Sequence, residues 1–289
     1  MEKPKTKPMN GKEENKTKFR DSSEKKSPKG GIRITWKGTA SFLLEAAGER
    51  ILFDPFVQIR GGENPGVFEE FVNEETIFIT HGHFDHLYWV PQLLEEGEAT
   101  VFCTACPAET LERFTEETGR VVRIRVGDCI PIGGMKIWVR KGRHIDFQIK
   151  RIFETMSPLR VLRHWRNLPF LLWANHTFKD GDETVAFEIQ AEGRRILLLG
   201  SLALDEREVY PQGVDLVILP YSGNHDLVAE ADRVVERLRP KRILLSHFDD
   251  AFPPMPAWGR LRSFVCREAG SGTKRGKGSE QNRSKDRKN

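Results

Sequence analysis

Six consecutive residues, His81-Gly82-His83-Phe84-Asp85-His86, hold three of the chain's eight histidines together with a carboxylate. Imidazole nitrogens and a carboxylate at this density suit a zinc-like ion, with nitrogen ligands at about 2.0–2.1 Å. The run directly before them, Thr76-Ile77-Phe78-Ile79-Thr80, is rich in β-branched and aromatic residues. It reads as a buried strand that ends where the histidines begin. Alternate residues of an extended segment share a side, so His81 and His83 reach one ion together. Asp85 and His86 follow as the chain turns, ahead of a helix expected from Leu87 onward. A polar loop that merely happens to be rich in histidine is the bland alternative.

The elements that must position this cluster alternate along the chain. Strands are expected near 32–36, 41–45, 50–53, 99–103, 121–124, 135–139, 184–190, 195–199, 216–219 and 242–245. Helices are expected near 87–95 and 107–118. Another spans 227–238, where Leu227, Val228, Ala231, Val234, Val235 and Leu238 recur at helical spacing. This order fits a layered α/β sandwich with helices outside. Residues 147–180 read as a helical insert near the active site, with a helix starting at Ser157-Pro158. Val161, Leu162, Trp165 and Leu168 would line one face, and Arg160, Arg163 and Arg166 the other. A packed lid is the plain reading of this insert. An amphipathic element that admits a lipid-like or anionic substrate is the sharper one.

Composition sets the outer limits. Residues 1–30 carry ten Lys/Arg against five Asp/Glu, and 267–289 carry eight against three. Both are nearly devoid of apolar side chains, so they read as disordered basic tails flanking one domain at 31–266. The middle is left with 28 basic and 34 acidic residues, a net charge of −6, although the whole chain is at +4. Basic tails offer weak electrostatic contacts at most. No apolar run reaches the ~18–20 residues of a membrane span, and the N-terminus has no apolar signal core. A cytoplasmic protein with a small-molecule or lipid-like substrate is therefore expected. Cys103 and Cys106 form a lone CxxC, best read as ordinary reduced thiols.

With these elements placed, the chain resembles the metallo-β-lactamase-fold hydrolases. His81-x-His83-x-Asp85-His86 matches their HxHxDH signature after a strand. The opening Ile34-Thr35-Trp36-Lys37-Gly38-Thr39-Ala40-Ser41-Phe42-Leu43 is similar to that of the branch containing ascorbate-6-phosphate lactonase and the N-acyl-phosphatidylethanolamine phospholipase D enzymes. Asp54 in Phe53-Asp54-Pro55 resembles the first-motif aspartate, His144 the third-motif histidine and His247 the last. The resemblance implies a four-layer αββα sandwich with metal at the edge of two sheets. It implies one ion on His81, His83 and His144, and a second on Asp85, His86 and His247. Zinc is expected, one ion or two, with manganese or iron as alternatives. Asp54 would fix a ligand's tautomer or anchor the histidine loop, or else simply form an Asp-Pro turn.

One landmark departs from the pattern. The family's strand-terminal Gly-Asp supplies an aspartate that bridges two metals, but here the text is Leu199-Gly200-Ser201. A neutral hydroxyl is a poor bridge compared with a carboxylate. Asp205 is a distant candidate replacement. The expected activity is hydrolysis of an ester, lactone, amide or phosphodiester by metal-activated hydroxide. Asp85 would orient that nucleophile or accept its proton. His225, or Tyr221 in the same loop, would touch substrate or donate a proton, unless that loop merely caps helix 227–238. Two other readings compete: a degenerate, non-catalytic metal-binding member, and a nuclease-type member that uses its basic tails.

Overall fold

The computed structural model describes residues 30–145, 157–222 and 227–255. The expected tails, His225 and the first part of the insert lie outside these residues. One six-stranded sheet runs in the order β1 (Arg33–Gly38), β2 (Ser41–Ala46), β3 (Glu49–Phe53), β4 (Thr76–Phe78), β5 (Thr100–Cys103) and β6 (Val121–Arg123). The second runs β12 (Ile243–Ser246), β11 (Leu216–Pro220), β10 (Arg194–Leu199), β9 (Val185–Ala191), β8 (Met135–Lys141) and β7 (Cys129–Ile132).

Strand periodicity explains the layering. Successive side chains point to opposite faces, and here both faces are apolar. Phe53 and Phe78 join Phe187, Ile189, Ile196 and Leu198 in a core shared by the two sheets. Their neighbours Leu52, Ile77 and Ile79 face a second core built with α1 (Phe68–Phe71), α2 (Phe84–Leu87), α3 (Val90–Glu96) and α4 (Ala105–Phe114). Leu197, Leu199, Val217 and Leu219 face a third, closed by Leu227, Ala231, Val234 and Leu238 of the helix Leu227–Leu238. Three stacked cores make four layers, the αββα sandwich that the resemblance implied. Across the middle, Phe78 stacks on Phe102 at 4.6 Å and meets Phe187 edge-on at 5.2 Å. Among the described residues no helix is long and apolar enough to cross a membrane.

Several boundaries differ from expectation for identifiable reasons. The single helix expected near 87–95 is two, because Pro91 lacks the N–H that would bond the Leu87 carbonyl. The first of them already starts at Phe84, so Asp85 and His86 ride on a helix. The helix expected from Pro107 begins at Ala105, with Pro107 in the first turn, where no N–H partner exists. β7 was not expected at all. It contains Pro131 and pairs only with β8 at the sheet edge, where a proline is tolerated.

The described part of the insert is helical: α5 (Pro158–Arg163), a 3-10 turn over Trp165–Asn167 and α6 (Leu168–Thr177). Which side of it docks was left open by the sequence. Leu162 and Trp165 are exposed, while Arg160 turns inward to Asp250 and to the carbonyls of Pro254 and Met255. Buried Asn167 donates to the carbonyls of Arg60 and Pro253. The loops offer carbonyls and a carboxylate, so Arg160 and Asn167 dock there, while Arg163 and Arg166 stay exposed. Trp173 instead lies inward, ringed by Tyr88, Phe114, Phe170 and Phe178.

Candidate metal centre

Every expected site residue that the structure describes lies just beyond the C-terminal end of a strand or on the helix that follows. Asp54 follows β3, His81 to His86 follow β4, His144 follows β8, Ser201 follows β10 and His247 follows β12. Parallel pairing of β3 with β4, of β10 with β11 and of β11 with β12 brings these ends to a common edge. Ligand sites sit at such carboxyl edges. The two sheets touch there. Val185 donates to the Thr80 carbonyl at 2.9 Å, and a Cβ on Gly200 would come within 2.7 Å of the Thr80 Cβ. A glycine at 200 is what lets the edges close.

Two groups of potential ligand atoms result, each gathered within 4.8 Å: His81, His83 and His144, and Asp85, His86 and His247. All six expected ligands are in them. Proton accounting shows how the first group is oriented. Asp54 can only accept when ionised, and it takes the Thr80 N–H at 2.8 Å and the Thr80 hydroxyl at 2.8 Å. The Thr80 oxygen is then free to accept from His81 Nδ1 at 3.0 Å. His81 therefore carries its proton at Nδ1 and offers a lone pair at Nε2, 3.1 Å from His83 Nδ1. His144 Nδ1 donates to the Ile145 carbonyl at 2.7 Å, which likewise frees its Nε2. Converging ring nitrogens with outward N–H groups already satisfied are the donor set that a zinc-like cation takes.

The second group is tied to the same aspartate. His86 Nδ1 donates to Asp54 Oδ2 at 3.0 Å, leaving Nε2 toward Asp85. His247 Nε2 lies 2.8 Å from Asp85 Oδ2. Three residues here hold left-handed backbone without being glycine: Thr39, Asp54 and His247, at φ 47, 44 and 60°. Strain of this kind persists only where the surroundings enforce it. His247 N–H donates to the Thr39 carbonyl at 2.7 Å, and the Thr39 N–H and hydroxyl both donate to Asp249 Oδ2, at 2.9 and 3.1 Å. The Asp54 turn is thus more than an Asp-Pro bend, since its carboxylate serves both groups.

Electrostatics follows from burial and crowding. Burial and neighbouring imidazoles push His81 well down from its ordinary value. Burial, aided by His144, takes His83 down to about 4. His144 is lowered by burial too, against the Asp180 carboxylate. These three rings stay neutral near pH 7, as ligands must. Burial also disfavours charge on His86, but Asp54 and Asp85 outweigh it and raise that ring. Burial would raise Asp85, yet His86 and His247 hold it well below the usual carboxylate range.

Thr80, Thr39, Asp249 and Asp180 were not legible as site residues. Only Thr80 gave a signal, a hydroxyl ending the strand directly before His81. Ser201 is buried, and its Oγ accepts the Ile145 N–H at 3.1 Å. Asp205 does not replace the family's aspartate: it belongs to neither group, and its Oδ1 is occupied by the N–H groups of Arg207 and Glu208. Tyr221 packs in the third core. Cys103 is buried and its thiol pushed up to about 12, while Cys106 donates to the Lys179 carbonyl, so the CxxC stays outside the site.

The family model described as "Beta-lactamase superfamily domain" matches residues 33–247. A UPF0173 metal-dependent hydrolase from Archaeoglobus fulgidus is 37% identical over 226 residues, covering 77% of this chain and 85% of the relative. Its counterpart from Opitutus terrae is 28% identical over 224 residues, covering 75% and 85%. Among solved structures, a metallo hydrolase from Ignicoccus hospitalis shares the fold at a TM-score of 0.50 and 16% identity, over 78% of this chain and 86% of that one. Matched signature, sandwich and ligand groups converge on one assignment: the chain belongs to the beta-lactamase superfamily, among its UPF0173 metal-dependent hydrolases.

Proposed function

We propose that this metal-dependent hydrolase acts on an ester, lactone, amide or phosphodiester, with one firmly held ion and a weaker second position. The observation that carries this reading is the division of the ligands. No ligand carboxylate is common to the two groups, and the Ser201 hydroxyl oxygen accepts the Ile145 N–H. His81, His83 and His144 would hold the first ion, zinc being the best match to three neutral imidazoles. Such an ion supplies Lewis-acid activation of water and of the scissile carbonyl or phosphoryl group.

The protein's own groups do the rest. The Asp54–Thr80 pair and the Ile145 carbonyl keep ring protons on the outward nitrogens. Asp85 stays ionised and receives a hydrogen bond from His247, so it is placed to accept the proton that the nucleophile sheds. His225, which lies outside the described residues, is the further residue proposed to contact substrate or donate a proton.

Metal analysis of protein purified without added metal tests this directly, on wild type and Ser201→Asp. About one ion per chain rising to two in the variant supports the reading. Two tightly held ions in wild type would overturn it. Metal-dependent turnover on a panel of esters, lactones and phosphodiesters separates a working enzyme from a degenerate binder, which would show none.

A further inference from the structure

Exposed apolar side chains are concentrated on the insert. Nine large hydrophobic residues are exposed among the described residues, and four fall within fourteen positions: Leu159 at 80%, Leu162 at 72%, Trp165 at 56% and Leu172 at 70%. Leu159 and Leu162 stand one turn apart on α5, with Trp165 a further turn on. Arg163 and Arg166 are exposed between them, and the Arg166 guanidinium lies 5.7 Å over the Trp165 ring. From Ser157 to Lys179 there is no acidic residue.

This surface is held rigidly. Arg160 and Asn167 bolt α5 to the loops at Arg60 and at 250–255, on the inward side. Phe170 packs edge-on against Phe84 at 6.2 Å, next to Asp85. The apolar side chains are thus presented outward by a clamped element that adjoins the metal centre.

We propose that this face of the insert docks the protein on an anionic lipid bilayer. Leucines and a tryptophan that protrude, interleaved with arginines and free of carboxylates, match the headgroup boundary. There the apolar tips enter the acyl region and the cations meet phosphate. A second copy of this chain fits worse. A two-fold contact would set the arginine-bearing patch against itself, with no acid between residues 157 and 179 to offset the repulsion. The proposal is independent of the proposed chemistry, because vesicle binding is read without turnover.

Co-sedimentation of the full chain with phosphatidylcholine vesicles, with and without phosphatidylserine, tests it. Wild type should pellet with the anionic vesicles and release as salt rises. Leu162→Ser/Trp165→Ser keeps every cation, including those of the basic ends, and alters only exposed side chains. It should bind roughly tenfold or more weakly while its circular dichroism is unchanged. Arg163→Gln/Arg166→Gln should weaken binding and flatten the salt dependence. Failure of wild type to pellet overturns the proposal, as does equal binding to neutral vesicles. Undiminished binding of the serine variant would assign capture to the basic ends and overturn it too. A soluble dimer lost in that variant would give the patch to a second copy and likewise overturn bilayer docking.

Discussion

Replacing Thr80 with valine keeps the shape of a fully buried side chain and deletes one hydroxyl. That hydroxyl donates to Asp54 at 2.8 Å and accepts from His81 Nδ1 at 3.0 Å. Without it the His81 N–H is buried with no acceptor, at a cost of about 1–3 kcal/mol. The ring is then free to turn or to change tautomer, which withdraws Nε2 from the first ligand group. Loss of an outer hydrogen bond of this kind weakens metal affinity by roughly 10–100-fold. At about 1.4 kcal/mol per tenfold, that range matches the cost of the orphaned N–H. Asp54 retains the Thr80 backbone N–H and the His86 ring, so the second group should change less. Asp54→Asn reverses the pattern, because an amide NH2 replaces one acceptor oxygen and faces a donor. Competition with a chromophoric chelator measures both affinities, and Thr80→Ser, which keeps the hydroxyl, should stay near wild type. A valine variant with wild-type affinity would refute the proton accounting on which the site's orientation rests.

Three further outcomes follow from other parts of the structure. Ser201→Ala removes the acceptor of the buried Ile145 N–H and should destabilise the metal-free protein by about 1–3 kcal/mol in urea unfolding; an unchanged midpoint would show that the serine does not hold the His144 segment. Because His81, His83 and His144 are lowered in the folded state, the unfolded chain binds more protons as the pH falls below about 6.5. The metal-free protein should therefore lose stability from there toward about 4, where His83 itself titrates, while raised His86 contributes its change only above about 6.5 and leaves this window unopposed; a midpoint flat across that window would contradict the burial argument. Asn167→Ala deletes two bonds that clamp the insert, so hydrogen exchange across 158–177 should rise while the sheets stay protected. No change there would mean that Arg160 and the Phe170 contacts suffice.

The strands were readable because their signal is local. Phe78 beside Ile77 and Ile79 announces a strand buried on both faces whatever surrounds it, and helix 227–238 shows its apolar stripe in twelve residues. The docking side of the insert was not legible, because amphipathic spacing says that a helix has two faces, not which one docks. That depended on carbonyls at Arg60, Pro253 and Pro254, nearly a hundred residues away on either side. β7 escaped notice because Pro131 suppresses the usual strand signal and only an edge position excuses it.

By itself the sequence determined the ligand types, and the two-residue spacing pointed to His81 and His83 as the first pair, although β4 ends at Phe78 and the loop beyond it is what brings the two rings together. The sequence also set Ser201 where the resemblance led to the expectation of a bridging carboxylate. The family resemblance implied that His144 joins one pair and His247 the other, and the tertiary structure gives the physical reason, because packing of the two sheets brings the ends of β8 and β12 against the β4 edge. Only the tertiary structure decided that one hydroxyl, Thr80, and one carboxylate, Asp54, orient ligands in both groups. A hydrogen bond reads as chemistry only once donor and acceptor face each other, and these partners are 26 residues apart along the chain.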